Sequence, residues 1–160
     1  KLAIYVGDEP VVSLGDAMNC IGDSSAFSLE ALAFAIGDGD HMAVNRAYAR
    51  CLEEGTGEIA VIRVIQRHLM RLQLILAEIA KSGDTARAMQ SLRPPVFFKF
   101  EERFRQQVRG WRSVDVRMAL SLLLDAEHAI KQTGMPVSVI CGHTLTQVAG
   151  MVNPGQTTLL

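Results

Sequence analysis

Glu58–Ser82 reads EIAVIRVIQRHLMRLQLILAEIAKS, and this stretch decides the fold class. Ile59, Ile62, Ile65, His68, Leu69, Leu72, Ile75, Leu76 and Ile79 recur at steps of three and four, the spacing of one helix face. At a rise of 1.5 Å per residue the helix is about 35 Å long. A rod with so broad an apolar face needs other helices to cover it. Arg63, Arg67, His68 and Arg71 interrupt the stretch, whereas a membrane span needs roughly 20 mostly apolar residues.

Working upstream, Gly55–Gly57 separates this rod from a helix over His41–Glu53. Asp40 is placed to cap it, and Val44, Ala47, Tyr48 and Leu52 face inward. Before it, Ser28 is positioned to cap Leu29–Ile36, whose inward residues are Leu29, Leu32, Ala33 and Ile36. Gly37 to Asp40 closes that helix. Val11–Ile21 reads as a short helix capped by Ser13 and stopped by Gly22, and Asp23–Ser25 reads as a linker. Lys1–Val6 resembles the end of an amphipathic helix, followed by a turn at Asp8–Pro10. We therefore expect residues 1–24 to be the remnant of a preceding unit, in a piece of a longer protein.

Downstream, Gly83 ends the rod and Asp84 caps a short helix to Leu92. Arg93-Pro94-Pro95 is a boundary, because a residue before proline avoids the helical region. Val96–Arg109 is expected to be helical, with Phe97, Phe100, Phe104 and Val108 inward, ending at Gly110 and Trp111. Ser113 is placed to cap Val114–Gln132, with Asp115 suited to the first turn. Its buried side is expected to be Val116, Ala119, Leu120, Leu123, Leu124 and Ala126 through Ile130. Gly134-Met135-Pro136 breaks the chain, Ser138 caps a last helix to about Val148, and 150–160 reads as a frayed tail. The expectation is an all-α, orthogonal or antiparallel bundle of about six helices over residues 25–149, preceded by a short helical remnant. No period of 20–50 residues indicates a solenoid.

Composition agrees: 49% of residues are apolar and only 6% aromatic. That excludes disorder and favours helices over strands. The three cysteines, Cys20, Cys51 and Cys141, sit in apolar surroundings and read as core residues in a reducing cytoplasm. No secretory leader pattern is visible.

Motifs for chemistry are sparse. The chain lacks a phosphate-binding P-loop pattern, C-x-x-C and H-E-x-x-H, so no cofactor and no metal are expected. His68 on an apolar face reads as a hydrogen-bonded core residue. Glu127-His128 reads as surface or interface, and Glu101-Glu102 point apart on a helix. An enzyme built around His68 or Glu127 is the least favoured reading.

Charge carries more signal. Residues 1–60 hold three Lys/Arg against ten Asp/Glu, and residues 61–160 hold thirteen against seven. Arg63, Arg67 and Arg71 form one cationic ridge. Arg105, Arg109 and Arg112 form another, with Arg103 and Lys99 near and Trp111 between. Such a surface fits nucleic-acid phosphate or acidic protein, while a solvated face with ordinary ion pairs is the simpler explanation. The phenylalanines at 97, 100 and 104 fall at core spacing rather than forming a base-stacking platform.

Ordered segments across residues 1–148 carry a resemblance. VGD (6–8) and IGDSSAFSLEALAFAIGDGD (21–40) come first, then NRAYARCLEEGTGEIAVIRVIQRHLMRLQLI (45–75). LRPPVFFKFEERFRQQVRGW (92–111) and LLLDAEHAIKQTG (122–134) follow. Together they resemble the delta subunit of the bacterial DNA polymerase III clamp loader, at the passage from its middle domain into its collar. The resemblance implies a non-catalytic assembly module of a five-membered ring. The collar would join the delta-prime and gamma/tau subunits. The sliding clamp would be met only through an N-terminal domain absent from this chain. It also implies a contact near primer–template DNA at the turn of Ala126, Glu127, Lys131 and Gly134, where Lys131 can meet phosphate. Thr133-Gly134-Met135 lacks the aromatic residue some members carry there, which puts a stacking role in doubt.

Overall fold

Asp40 closes one helix and opens the next: its Oδ1 accepts the Ala43 N–H at 2.9 Å. In the computed structural model, the backbone is described for residues 14–152 and the side chains for 25–152. The expectations for Lys1–Val6, Asp8–Pro10 and Ser13, and for the tail beyond Val152, lie outside the described residues.

The helices run α1 (Leu14–Asp38), α2 (His41–Glu53), α3 (Glu58–Ser82), α4 (Thr85–Gln90), α5 (Glu101–Gly110), α6 (Ser113–Ile130) and α7 (Val137–Ala149). A single 3-10 turn, Phe98–Phe100, precedes α5. The described residues form an all-α bundle without strands.

α3 is the central rod. It packs on α1, α4, α5, α6 and α7. Arg63 near its start meets Glu127 near the end of α6, while Gln73 further along meets Ser113 at the beginning of α6. The two helices are therefore antiparallel. Ile62, Ile65, Leu69, Leu72 and Ile75 of α3 are buried with Leu32, Ile36, Val44, Phe104, Leu123 and Leu145 in one core. Burying each such side chain stabilises the fold by about 1.5–3 kcal/mol. Gly83 ends α3 in the left-handed region (φ 69°), a conformation open to glycine without a Cβ clash.

His41–Glu53 and Glu58–Ser82 form over the residues the spacing predicts. Other expectations need correction. α1 runs unbroken through Gly22, the expected linker Asp23–Ser25 and the expected cap Ser28. Ser28 is buried within the helix, and its hydroxyl has no hydrogen-bond partner among the described residues. Glycine and serine disfavour a helix interior by no more than about 1 kcal/mol each, and packing on α2 and α3 outweighs that.

α5 begins at Glu101 rather than Val96, because Pro94-Pro95 hold the preceding chain out of the helix. α4 ends at Gln90, before Leu92. Ser113 is the first residue of α6 and not its cap. Its hydroxyl instead receives Gln73 at 2.8 Å and Arg117 at 2.9 Å. Ser138 lies inside α7 and hydrogen-bonds Glu58, tying the start of α7 to the first turn of α3. Leu52, Phe97 and Leu124, expected inward, are exposed. Leu52 and Leu124 lie at the margin of their helices' apolar faces, and Phe97 falls outside any helix, in the extended chain before the 3-10 turn.

Among the described residues, no helix is long and apolar enough to cross a membrane.

Candidate partner-binding surface

Most of the cations singled out in the sequence are held inside the molecule. Arg63 and Lys131 converge on Glu127, at 3.3 and 2.7 Å, with Gln66 also donating to it. The Lys131 contact foremost holds the Glu127 carboxyl below the usual range, and burial opposes it. Arg112 grips Asp115 through two bonds, at 2.6 and 2.8 Å. Arg105 pairs with Glu101 at 2.9 Å and lies 3.8 Å from Glu102. The second ridge therefore does not assemble as a cationic surface. Trp111, expected between its arginines, is buried and donates its indole N–H to Gly37 O at 2.8 Å.

Arg67, Lys99 and Arg109 are the exceptions. All three are exposed, with no ion pair among the described residues. Arg71 is intermediate. It donates to Pro94 O at 3.1 Å and stacks 5.6 Å over the Phe104 ring. Its Nε is buried without a hydrogen-bond partner among the described residues; burial lowers its pKa, and the charge of Glu30 opposes that shift.

His68 is a core residue. Its Nε2 lies 2.7 Å from Gln107 Oε1. Gln107 Nε2 donates to Phe34 O at 3.0 Å and to Asp38 Oδ1 at 2.6 Å, which leaves Oε1 as the acceptor for the ring. That network assigns the proton of the neutral imidazole to Nε2. Burial pushes the His68 pKa down to about 4, although the Gln107 bond opposes the shift. Arg103 closes the network, bound to Asp38 at 2.6 Å and lying 5.1 Å over the Phe34 ring.

Beside this network a groove of about 710 Å³ runs between α1 and α3. Phe27, Leu29, Ala33 and Phe34 form one wall and Val64 the other. Arg67, Arg71 and Glu30 supply its charge, with His68 at its base. The chain has six phenylalanines, and they gather on this side. Phe34 packs 4.8 Å from Phe100, Phe100 lies 6.2 Å from Phe97, and Phe97 lies 4.6 Å from Phe98. Phe104 meets the other side of His68 at 5.5 Å. Phe27, Phe97 and Phe98 are 61%, 53% and 71% exposed. Sequence reasoning missed Phe27 and Phe98. The adjacent pair Phe97-Phe98 just after two prolines was the available signal, since neighbouring residues on a helix or strand do not both face one core.

Among the described residues, no group of three His, Cys, Asp or Glu side chains is placed to hold a metal ion. No protein-family model, curated protein or solved structure matches the chain.

Proposed function

We propose that this chain is a protein-assembly module, the collar part of the delta subunit of a bacterial DNA polymerase III clamp loader. In that role it joins delta-prime and gamma/tau, in the cytoplasm, in the ring that places the sliding clamp on primed DNA. One observation carries the assembly reading: Phe27 stands more than half exposed in a groove edged by Arg67 and Arg71, and the exposed Phe97 and Phe98 continue the aromatic cluster through Phe100 to Phe34. Exposed aromatic clusters rimmed by arginine are characteristic of protein contact sites. The resemblance carried by sequence segments across residues 1–148 supports the clamp-loader reading, and an all-helical bundle suits lateral docking of helix faces.

A nucleic-acid module is the second reading. It is weakened by the internal pairing of Arg63, Arg105, Arg112 and Lys131; among the described residues Arg67, Lys99 and Arg109 are without an ion pair and could meet phosphate. Mixing the chain with purified gamma/tau and delta-prime, followed by size-exclusion chromatography with light scattering, tests the proposal. A co-eluting complex is expected, and separate elution at micromolar concentration overturns the clamp-loader reading. Affinity for primed DNA that falls steeply with salt and vanishes in Arg67→Ala/Arg109→Ala would favour the second reading instead.

A further inference from the structure

We infer that the groove between α1 and α3 receives an acidic amphipathic helix of a partner protein. The inference rests on the reading of the chain as an assembly module and adds the chemistry of one occupant.

Three features of the groove select it. Its walls are apolar and formed by two packed helices, so a third helix can lay a ridge of side chains at i, i+3 or i+4, and i+7 along it. Arg67 and Arg71 stand one turn apart on the same edge of α3, and neither is held in an ion pair at contact distance among the described residues, although Glu30 favours the charge on Arg71 from across the groove. Carboxylates spaced four apart on the incoming helix would meet both, and such arginine–carboxylate contacts strengthen as water leaves the site. Arg71 is partly withdrawn from water, and that burial lowers its pKa, so a carboxylate set against its guanidinium would offset the cost of holding the charge there.

The same geometry disfavours nucleic acid. Phe34, which lines the groove, is packed by His68, Phe100 and Arg103, so its ring is not open to stack on a base.

The test uses the whole chain and three fluorescein-labelled probes. One is a synthetic peptide of about four helical turns with a leucine ridge flanked by glutamates. The second replaces every glutamate with lysine, and the third is oligo-dT. Fluorescence anisotropy should show the acidic peptide binding and weakening about tenfold with added salt. Arg67→Glu and Phe27→Ser alter exposed positions and should keep the helical circular dichroism of the parent. Each should weaken the acidic peptide at least about tenfold, and Arg67→Glu should gain affinity for the lysine peptide. Equal binding of the two peptides, displacement by oligo-dT, or no loss in the variants overturns the inference. So does absence of peptide binding by a chain that still joins the loader subunits, which leaves the assembly reading standing. Peptide binding by a chain that ignores those subunits removes only the clamp-loader identity.

Discussion

Gln107 on α5 and His68 on α3 are joined by a 2.7 Å hydrogen bond, and the same glutamine reaches Asp38 on α1 at 2.6 Å. One uncharged side chain thus ties three helices at the base of the groove. Gln107→Leu would leave the His68 N–H without an acceptor in the core and take a donor from Asp38 Oδ1. We expect a loss of about 2–4 kcal/mol in urea unfolding followed by Trp111 fluorescence. Gly37→Ala should act in the same direction, because its Cβ would stand 2.5 Å from the Gln107 amide.

His68 makes stability depend on pH. Its pKa is about 4 in the folded chain against 6.5 for a free histidine. Between those values the unfolded chain binds more protons, so its contribution is full above pH 6.5 and declines as pH falls towards 4. The loss should total about 3 kcal/mol, at 1.36 kcal/mol per unit. Urea unfolding at stepped pH should show this slope in the parent and a flatter one in His68→Gln. Equal slopes would remove His68 as the cause.

Cys51 and Cys141 are fully buried, and burial pushes both thiols up to about 11. They should resist iodoacetamide at neutral pH until the chain unfolds, with labelling sites read by peptide mapping. Rapid labelling of either one in the folded protein would contradict the packing of α2 on α7.

The caps offer a graded measure. Asp40 accepts from Ala43 N and Asp84 from Arg87 N. Alanine at each should destabilise by about 0.5–2 kcal/mol. Asp40→Ala should have the greater effect, since α2 contributes Val44 and Cys51 to the core while α4 is a helix of six residues. Thermal unfolding of the two variants side by side decides the order.

Helical periodicity, glycine stops and aspartate caps place α2 and α3 in the sequence, because each is a local signal set by neighbours three or four residues away. The core role of His68 is legible for the same reason. Serines mislead: Ser28, Ser113 and Ser138 have the chemistry of caps, yet all three lie inside helices. Ser113 and Ser138 bind residues 40 and 80 positions away. The arginine ridges mislead for two reasons: Glu127, which holds Arg63, lies on another helix, whereas Glu101 and Asp115 sit three or four residues from Arg105 and Arg112, pairs that the spacing already offered.

An all-α bundle around a long central rod follows from the order of residues alone, since burying an apolar helix face leaves a chain without strands no other arrangement. Where the surface is open was settled only when the helices met. The docking of α1 on α3 determined which phenylalanines stay in water. The reach of Glu127, Asp115 and Glu101 determined which arginines keep an unmatched charge.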